Sequence, residues 1–100
     1  MGNEQNLARV ADLFKALGNE SRLGILVALD GEAMSVGMLA EQTQMSQPLV
    51  SQHLRTLKTV GIVSANRHGK EMIYQLADEH VAHVINDAII HAHETPDSSI

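Results

Sequence analysis

Four of the six histidines crowd into a short stretch near the C-terminus: His80, His83, His91 and His93. Carboxylates accompany them in the pattern Asp78-x-His80, ten intervening residues, His91-x-x-Glu94. Imidazole and carboxylate at such spacing are metal ligands by type, and two nitrogens with two oxygens suit tetrahedral zinc. The chain has no cysteine, which removes disulfides, thiolate metal sites and cysteine nucleophiles together. On one helix His80 and His91 would project within about 20° of each other but stand about 16 Å apart along the axis. Ligand atoms must approach a zinc ion to about 2 Å, so these two rings cannot share an ion within one straight helix. His91 and Glu94, one turn apart, can converge. Asp78 and His80 can converge only if the helix begins at about Asp78 or later, because two helical residues at that spacing diverge by about 160°. Two half-sites at opposite ends of one helix suit an antiparallel pair. Asp78 and His80 of one chain then meet His91 and Glu94 of the second, giving two equivalent sites per homodimer. His83 and His93 fit no position of the four-ligand set and read as surface residues; the alternative is that, as additional imidazoles, they support a six-coordinate nickel or cobalt ion.

A second group of residues carries a different chemistry. Ser46, Gln47, Ser51, Gln52, Arg55 and Lys58 belong to a segment whose Val50, Leu54 and Leu57 recur at i, i+4 and i+7. That spacing is an amphipathic helix, and by itself it implies no more than a solvated polar side; the residue types on that side are nevertheless ones able to read DNA. Gln pairs with adenine edges, Arg and Lys with guanine or phosphate, and Ser with either. Arg67 and Lys70 flank His68-Gly69 between two β-prone runs, a basic hairpin tip suited to the phosphate backbone or minor groove.

The elements that must position these groups follow from periodicity and punctuation. Leu7, Val10, Ala11, Phe14 and Leu17 predict a first helix ended by Gly18-Asn19. Leu23, Leu26, Val27 and Leu29 predict a second, stopped at Asp30-Gly31. Ser35 caps a short third helix, Thr43-Gln44-Met45 turns, and Ser46 caps a fourth running to about Val60, with Pro48 tolerated in its first turn. Ile62 to Ala65 and Met72 to Leu76 read as strands, and a last helix spans about Asp78 to Glu94, with Val81, Val84, Ile85, Ala88 and Ala92 as its apolar stripe. The expected class is mainly α with a β-hairpin wing, a single winged helix-turn-helix domain over residues 1–100. Order is expected over about 5–95, with a frayed tail at 96–100.

Composition is compatible with this plan. One hundred residues make one domain with a modest core, to which a second copy would add buried surface. With one Phe, one Tyr and no Trp, that core must be aliphatic. No run approaches the roughly 18 apolar residues of a membrane span, and the N-terminus lacks a signal pattern, so a cytoplasmic protein is expected. The net charge of −5 opposes nucleic-acid binding only as a total. From Gln42 to Lys70 there is no acid and a charge of +4, whereas Glu71 to Ile100 carries six acids and no Lys or Arg. Salt screens charges beyond about 8 Å, so the basic segment acts locally. A hydrolase built on the histidines would need a separate base, a pocket and an oxyanion element, and none accompanies them; an enzyme is not expected.

The wording of several segments resembles the ArsR/SmtB family of metal-sensing transcriptional repressors. These are Ala16-Leu17-Gly18-Asn19-Glu20-Ser21-Arg22-Leu23, Leu39-Ala40-Glu41-Gln42, Met45 through Leu57 with its Ser-Gln-x-x-Val-Ser-x-His-Leu core, and Gly61-Ile62-Val63. The resemblance covers roughly residues 7–94 and implies a dimeric winged helix whose first and last helices form the subunit interface. It also implies binding to double-stranded operator DNA, and release when metal binds. Asp-x-His followed by His-x-x-Glu is similar to the C-terminal-helix site of the family's zinc-sensing branch, which implies Asp78, His80, His91 and Glu94 as ligands and control of metal efflux or resistance genes. The thiolate site of other branches is absent, since Met34-Ser35-Val36-Gly37 stands where they carry Cys. A nickel- or cobalt-responsive repressor and a metal-independent family member are the alternatives.

Overall fold

The computed structural model describes residues 2–94, with side chains from Asn6 onward; the expected tail at 96–100 lies outside the described residues. The elements are α1 (Gly2–Leu17), α2 (Glu20–Leu29), β1 (Met34–Ser35), α3 (Val36–Thr43), α4 (Gln47–Thr59), β2 (Val63–His68), β3 (Glu71–Leu76) and α5 (Glu79–Glu94). This is a mainly helical winged helix-turn-helix.

Helix starts follow local chemistry. Asn19 caps α2 by accepting the Arg22 N–H at 2.9 Å, Ser35 caps α3 through the Met38 N–H at 3.2 Å, and Ser46 caps α4 through the Leu49 N–H at 3.3 Å. The turn between α3 and α4 is Gln44-Met45-Ser46, one residue later than the sequence suggests. Gln44 adopts a left-handed conformation, φ 59° and ψ 32°, that closes α3 and redirects the chain.

The buried cluster joins Ile25, Leu26 and Leu29 of α2 to Leu39 of α3 and to Val50, Leu54 and Leu57 of α4. The α4 stripe packs as its spacing predicts. In α2 the expected Leu26 and Leu29 are buried, but one position needs correction: Ile25 is fully buried, whereas Val27 is 51% exposed.

The wing also departs from expectation. Its strands extend farther toward the tip than predicted, pairing antiparallel from Val63↔Leu76 to His68↔Glu71. Arg67 and His68 therefore belong to β2, and the tip is Gly69-Lys70, with Gly69 at φ 65° as a tight two-residue hairpin turn requires. A third strand, β1, pairs with β3 through Met34↔Tyr74 and Ser35↔Ile73. Two residues leave no period to recognise, which is why the sequence did not disclose it. Met34 and Ser35 are buried, so β1 anchors the wing to the start of α3.

Arg22 ties α1 to α2: its Nε donates to the Ala16 carbonyl at 2.7 Å. Yet the stripe expected to bury α1 lies open in one protomer, with Leu7 66%, Val10 39% and Phe14 59% exposed. In α5, Ile85 is buried and Val81 partly so, whereas Val84, Ala88 and Ala92 are exposed. The predicted α5 stripe is thus divided between the protomer's own core and an open face. Among the described residues no helix is long and apolar enough to cross a membrane.

Candidate metal centre and nucleic-acid interface

Helix α5 begins at Glu79, which leaves Asp78 outside it. The Asp78 side chain caps the helix, accepting the Val81 N–H on Oδ1 at 3.1 Å. Non-helical backbone at a cap position removes the angular divergence that two helical residues would have, and His80 Nδ1 stands 3.6 Å from the same Asp78 oxygen. Both side chains are open to solvent. Asp78 retains its second carboxylate oxygen outside this contact, and His80 retains Nε2, so the pair offers one oxygen and one nitrogen to an incoming ion.

His91 and Glu94 lie one turn apart in the last part of α5, both exposed. Sixteen helical residues separate the two ends by about 24 Å. Among the described residues no three histidine or carboxylate side chains of one protomer gather to hold an ion. Within one protomer these donors therefore do not complete a four-ligand zinc set. His83 and His93 are exposed on the same helix.

The Asp78–His80 half-site opens onto a cleft lined also by Phe14, Leu17, Lys58 and Gly61. Three elements meet there: the open apolar side of α1, the C-terminal end of α4, and the start of α5. Sequence reasoning assigned Lys58 to DNA alone; its place in this cleft was hidden because nothing local links residue 58 to residue 80.

The polar side of α4 is presented as expected. Gln47, Gln52, Arg55 and Lys58 are exposed and Ser51 half-exposed, while Ser46 acts as the cap. Gln47 reaches back over α3: a Cβ built on Gly37 would lie 3.8 Å from Gln47 Nε2. Arg67 on β2 and Lys70 at the tip are exposed on the wing. His53, also on α4, turns inward. Burial pushes its imidazole below the ordinary histidine value, and the nearby Arg22 guanidinium pushes it in the same direction.

With this geometry in place, comparison with known proteins decides the family. The bacterial regulatory protein, arsR family, model matches residues 19–65, from the α2 cap into β2. The cadmium resistance transcriptional regulatory protein CadC homolog of Staphylococcus aureus is 38% identical over 93 residues, covering 91% of this chain and 76% of its own length. The chain belongs to the ArsR family. It is therefore a member of a family of DNA-binding transcriptional regulators, not enzymes. The HTH-type transcriptional repressor SmtB of Mycobacterium tuberculosis is 41% identical over 88 residues, 88% of this chain; the match spans 65% of that repressor's length. A homodimeric winged helix-turn-helix DNA-binding domain from Mycobacterium bovis superposes with a TM-score of 0.88 at 32% identity, covering 99% of this chain and 94% of that one. The arsR-family model spans the whole of α4 and stops before α5.

Proposed function

We propose that this ArsR-family chain is a metal-responsive transcriptional repressor. It binds operator DNA in the cytoplasm as a homodimer and leaves it when zinc occupies two intersubunit sites. Each site takes Asp78 and His80 of one protomer with His91 and Glu94 of the partner subunit. The observation that carries the reading is the Asp78–His80 pair, brought together at the start of α5 beside the end of α4 and beside an uncovered apolar side of α1. The homodimeric state of the M. bovis domain and the cadmium-resistance role named for the S. aureus relative support it.

Zinc, when bound, supplies a divalent charge and near-tetrahedral cross-linking between subunits. The protein's own residues do the rest. Gln47, Ser51, Gln52 and Arg55 read base edges, while Ser46, Lys58, Arg67 and Lys70 hold phosphates. Phe14, Leu7 and Val84 cover each other across the dimer. Linkage requires that metal and operator weaken each other by one common factor. Emptying an operator calls for a coupling of several kcal/mol. The controlled genes on this reading serve metal efflux or resistance.

Equilibrium dialysis tests the site directly. One zinc per chain, with binding lost in both His80→Ala and His91→Ala, is expected; full binding by either variant contradicts the ligand set. The exposed His83 and His93 favour a second reading, a six-coordinate nickel or cobalt sensor. The absorption spectrum of the cobalt-loaded protein separates the two, being intense for four ligands and weak for six.

A further inference from the structure

Asn86, in the middle of α5, donates from Nδ2 to Asp30 Oδ2 at 3.2 Å, a contact between residues 56 positions apart. Asp30 is the C-cap of α2, and its N–H is bonded to the Val27 carbonyl at 3.2 Å. It follows directly on Leu29, which is 1% exposed and belongs to the cluster that includes Leu54 and Leu57 of the reading helix. On the other side, Asp30 and Asp78 line one cleft between the α2–β1 connection and the start of α5. A continuous line of contacts thus runs from the Asp78 half-site and α5, through Asn86 and Asp30, to α2 and the inner face of α4.

Ile85, which is buried, and Val81, which is partly buried, also pack α5 against the body. Both are apolar contacts, which hold a helix against a core without fixing its rotation or slide. A hydrogen bond donated by an amide N–H to a carboxylate is directional and does fix them. We propose that the Asn86–Asp30 hydrogen bond is the positioning link that couples α5 to the reading helix. This inference rests on the metal-responsive reading and adds residues outside both the ligand set and the DNA-contacting set. Without the bond, α5 rocks on Ile85, and changes at its ends are absorbed locally instead of being passed to α2.

The test compares operator affinity without and with zinc at fixed salt, and takes the ratio as the coupling. Asn86→Ala is expected to lower that ratio by ~2–30-fold, the span that positions along a coupling network produce, while zinc affinity and dimerisation stay at the wild-type level. Asp30→Asn keeps an oxygen acceptor for the Asn86 amide and is expected to retain most of the ratio. Asn86→Asp, which opposes two carboxylates, is expected to lose it. The double variant Asn86→Ala/Asp30→Ala should be no worse than the worse single variant. An unchanged ratio in Asn86→Ala, or strictly additive losses in the double variant, overturns the link. A wild-type protein whose operator affinity ignores zinc overturns the metal reading and this link with it, an outcome distinct from the loss of the link alone.

Discussion

Asp78 Oδ1 accepts the Val81 N–H at 3.1 Å and lies 3.6 Å from His80 Nδ1, so one carboxylate both starts α5 and supplies one of the four candidate metal ligands. The two roles are separable. Asp78→Ala removes both and is expected to cost about 1 kcal/mol of stability, the usual value of a lost cap. Asp78→Ser restores a capping oxygen without a carboxylate. Its thermal midpoint should stay near wild type while zinc affinity falls. Calorimetry with zinc titration on the same samples checks this; a Ser variant that binds zinc normally removes Asp78 from the ligand set.

A site shared between chains predicts complementation. His80→Ala and His91→Ala homodimers should each fail to release operator with zinc, yet bind it normally without. Co-folded mixtures form heterodimers with one intact site, contributed by His80 of one chain and His91 of the partner subunit. Isolated heterodimers should bind one zinc. If either single homodimer still responds, that histidine is not a ligand; if the isolated heterodimers bind no zinc, the ligands do not come from two chains.

The open face of α1 predicts that association depends on it. Phe14, 59% exposed in one protomer, shares one side of α1 with the exposed Leu7 and Val10, and a contiguous apolar patch of this kind marks an interaction site. Phe14→Glu should shift the sedimenting species from dimer to monomer and weaken operator binding with it. A Phe14→Glu dimer of wild-type strength would place the interface elsewhere.

The α4 surface predicts a graded DNA response. Arg55→Ala should weaken operator binding at every salt concentration and, if Arg55 meets a phosphate, reduce the slope of log affinity against log salt by ~1. An unchanged slope with relaxed sequence preference would assign Arg55 to a base edge. Unchanged affinity would remove it from the interface.

His53 predicts a pH dependence of stability. Its folded value is lowered, first by burial and second by Arg22, below the ordinary 6.5. The unfolded chain therefore takes up the proton first as pH falls. Stability from this group is full above pH 6.5, declines as pH drops through it, and is lost entirely once pH is below the folded value. Denaturant midpoints across pH 5 to 8 should show this decline, and His53→Gln should flatten part of it. Identical curves for both proteins would show that His53 is not in a penalising environment.

Much of this molecule was legible in its residues because the signals are local. Ser35 and Ser46 announce their helices, Val50, Leu54 and Leu57 mark the buried side of α4, and Gly69 marks the hairpin turn. Helix arithmetic on Asp78 and His80 set a condition on where α5 begins, and the cap at Asp78 meets it. What escaped the sequence is non-local. Strand β1 is two residues long and exists through its pairing with Tyr74 and Ile73. In α2 Leu26 and Leu29 were legible, but Ile25 was missed and Val27 misplaced, because a run as apolar as Leu23 to Leu29 shows no clear polar side. The meeting of Lys58 with Asp78 and His80, and the bond from Asn86 to Asp30, depend on how distant elements pack.

The account rests on reciprocal exclusion of operator and metal, and one titration addresses it most directly. Operator binding is followed at fixed salt with the protein zinc-free, and again with zinc in excess. The account predicts tight binding by the zinc-free dimer and a loss of affinity of about a hundredfold or more with zinc, reversed by a chelator. Equal affinity in the two titrations, or tighter binding with zinc, would contradict it.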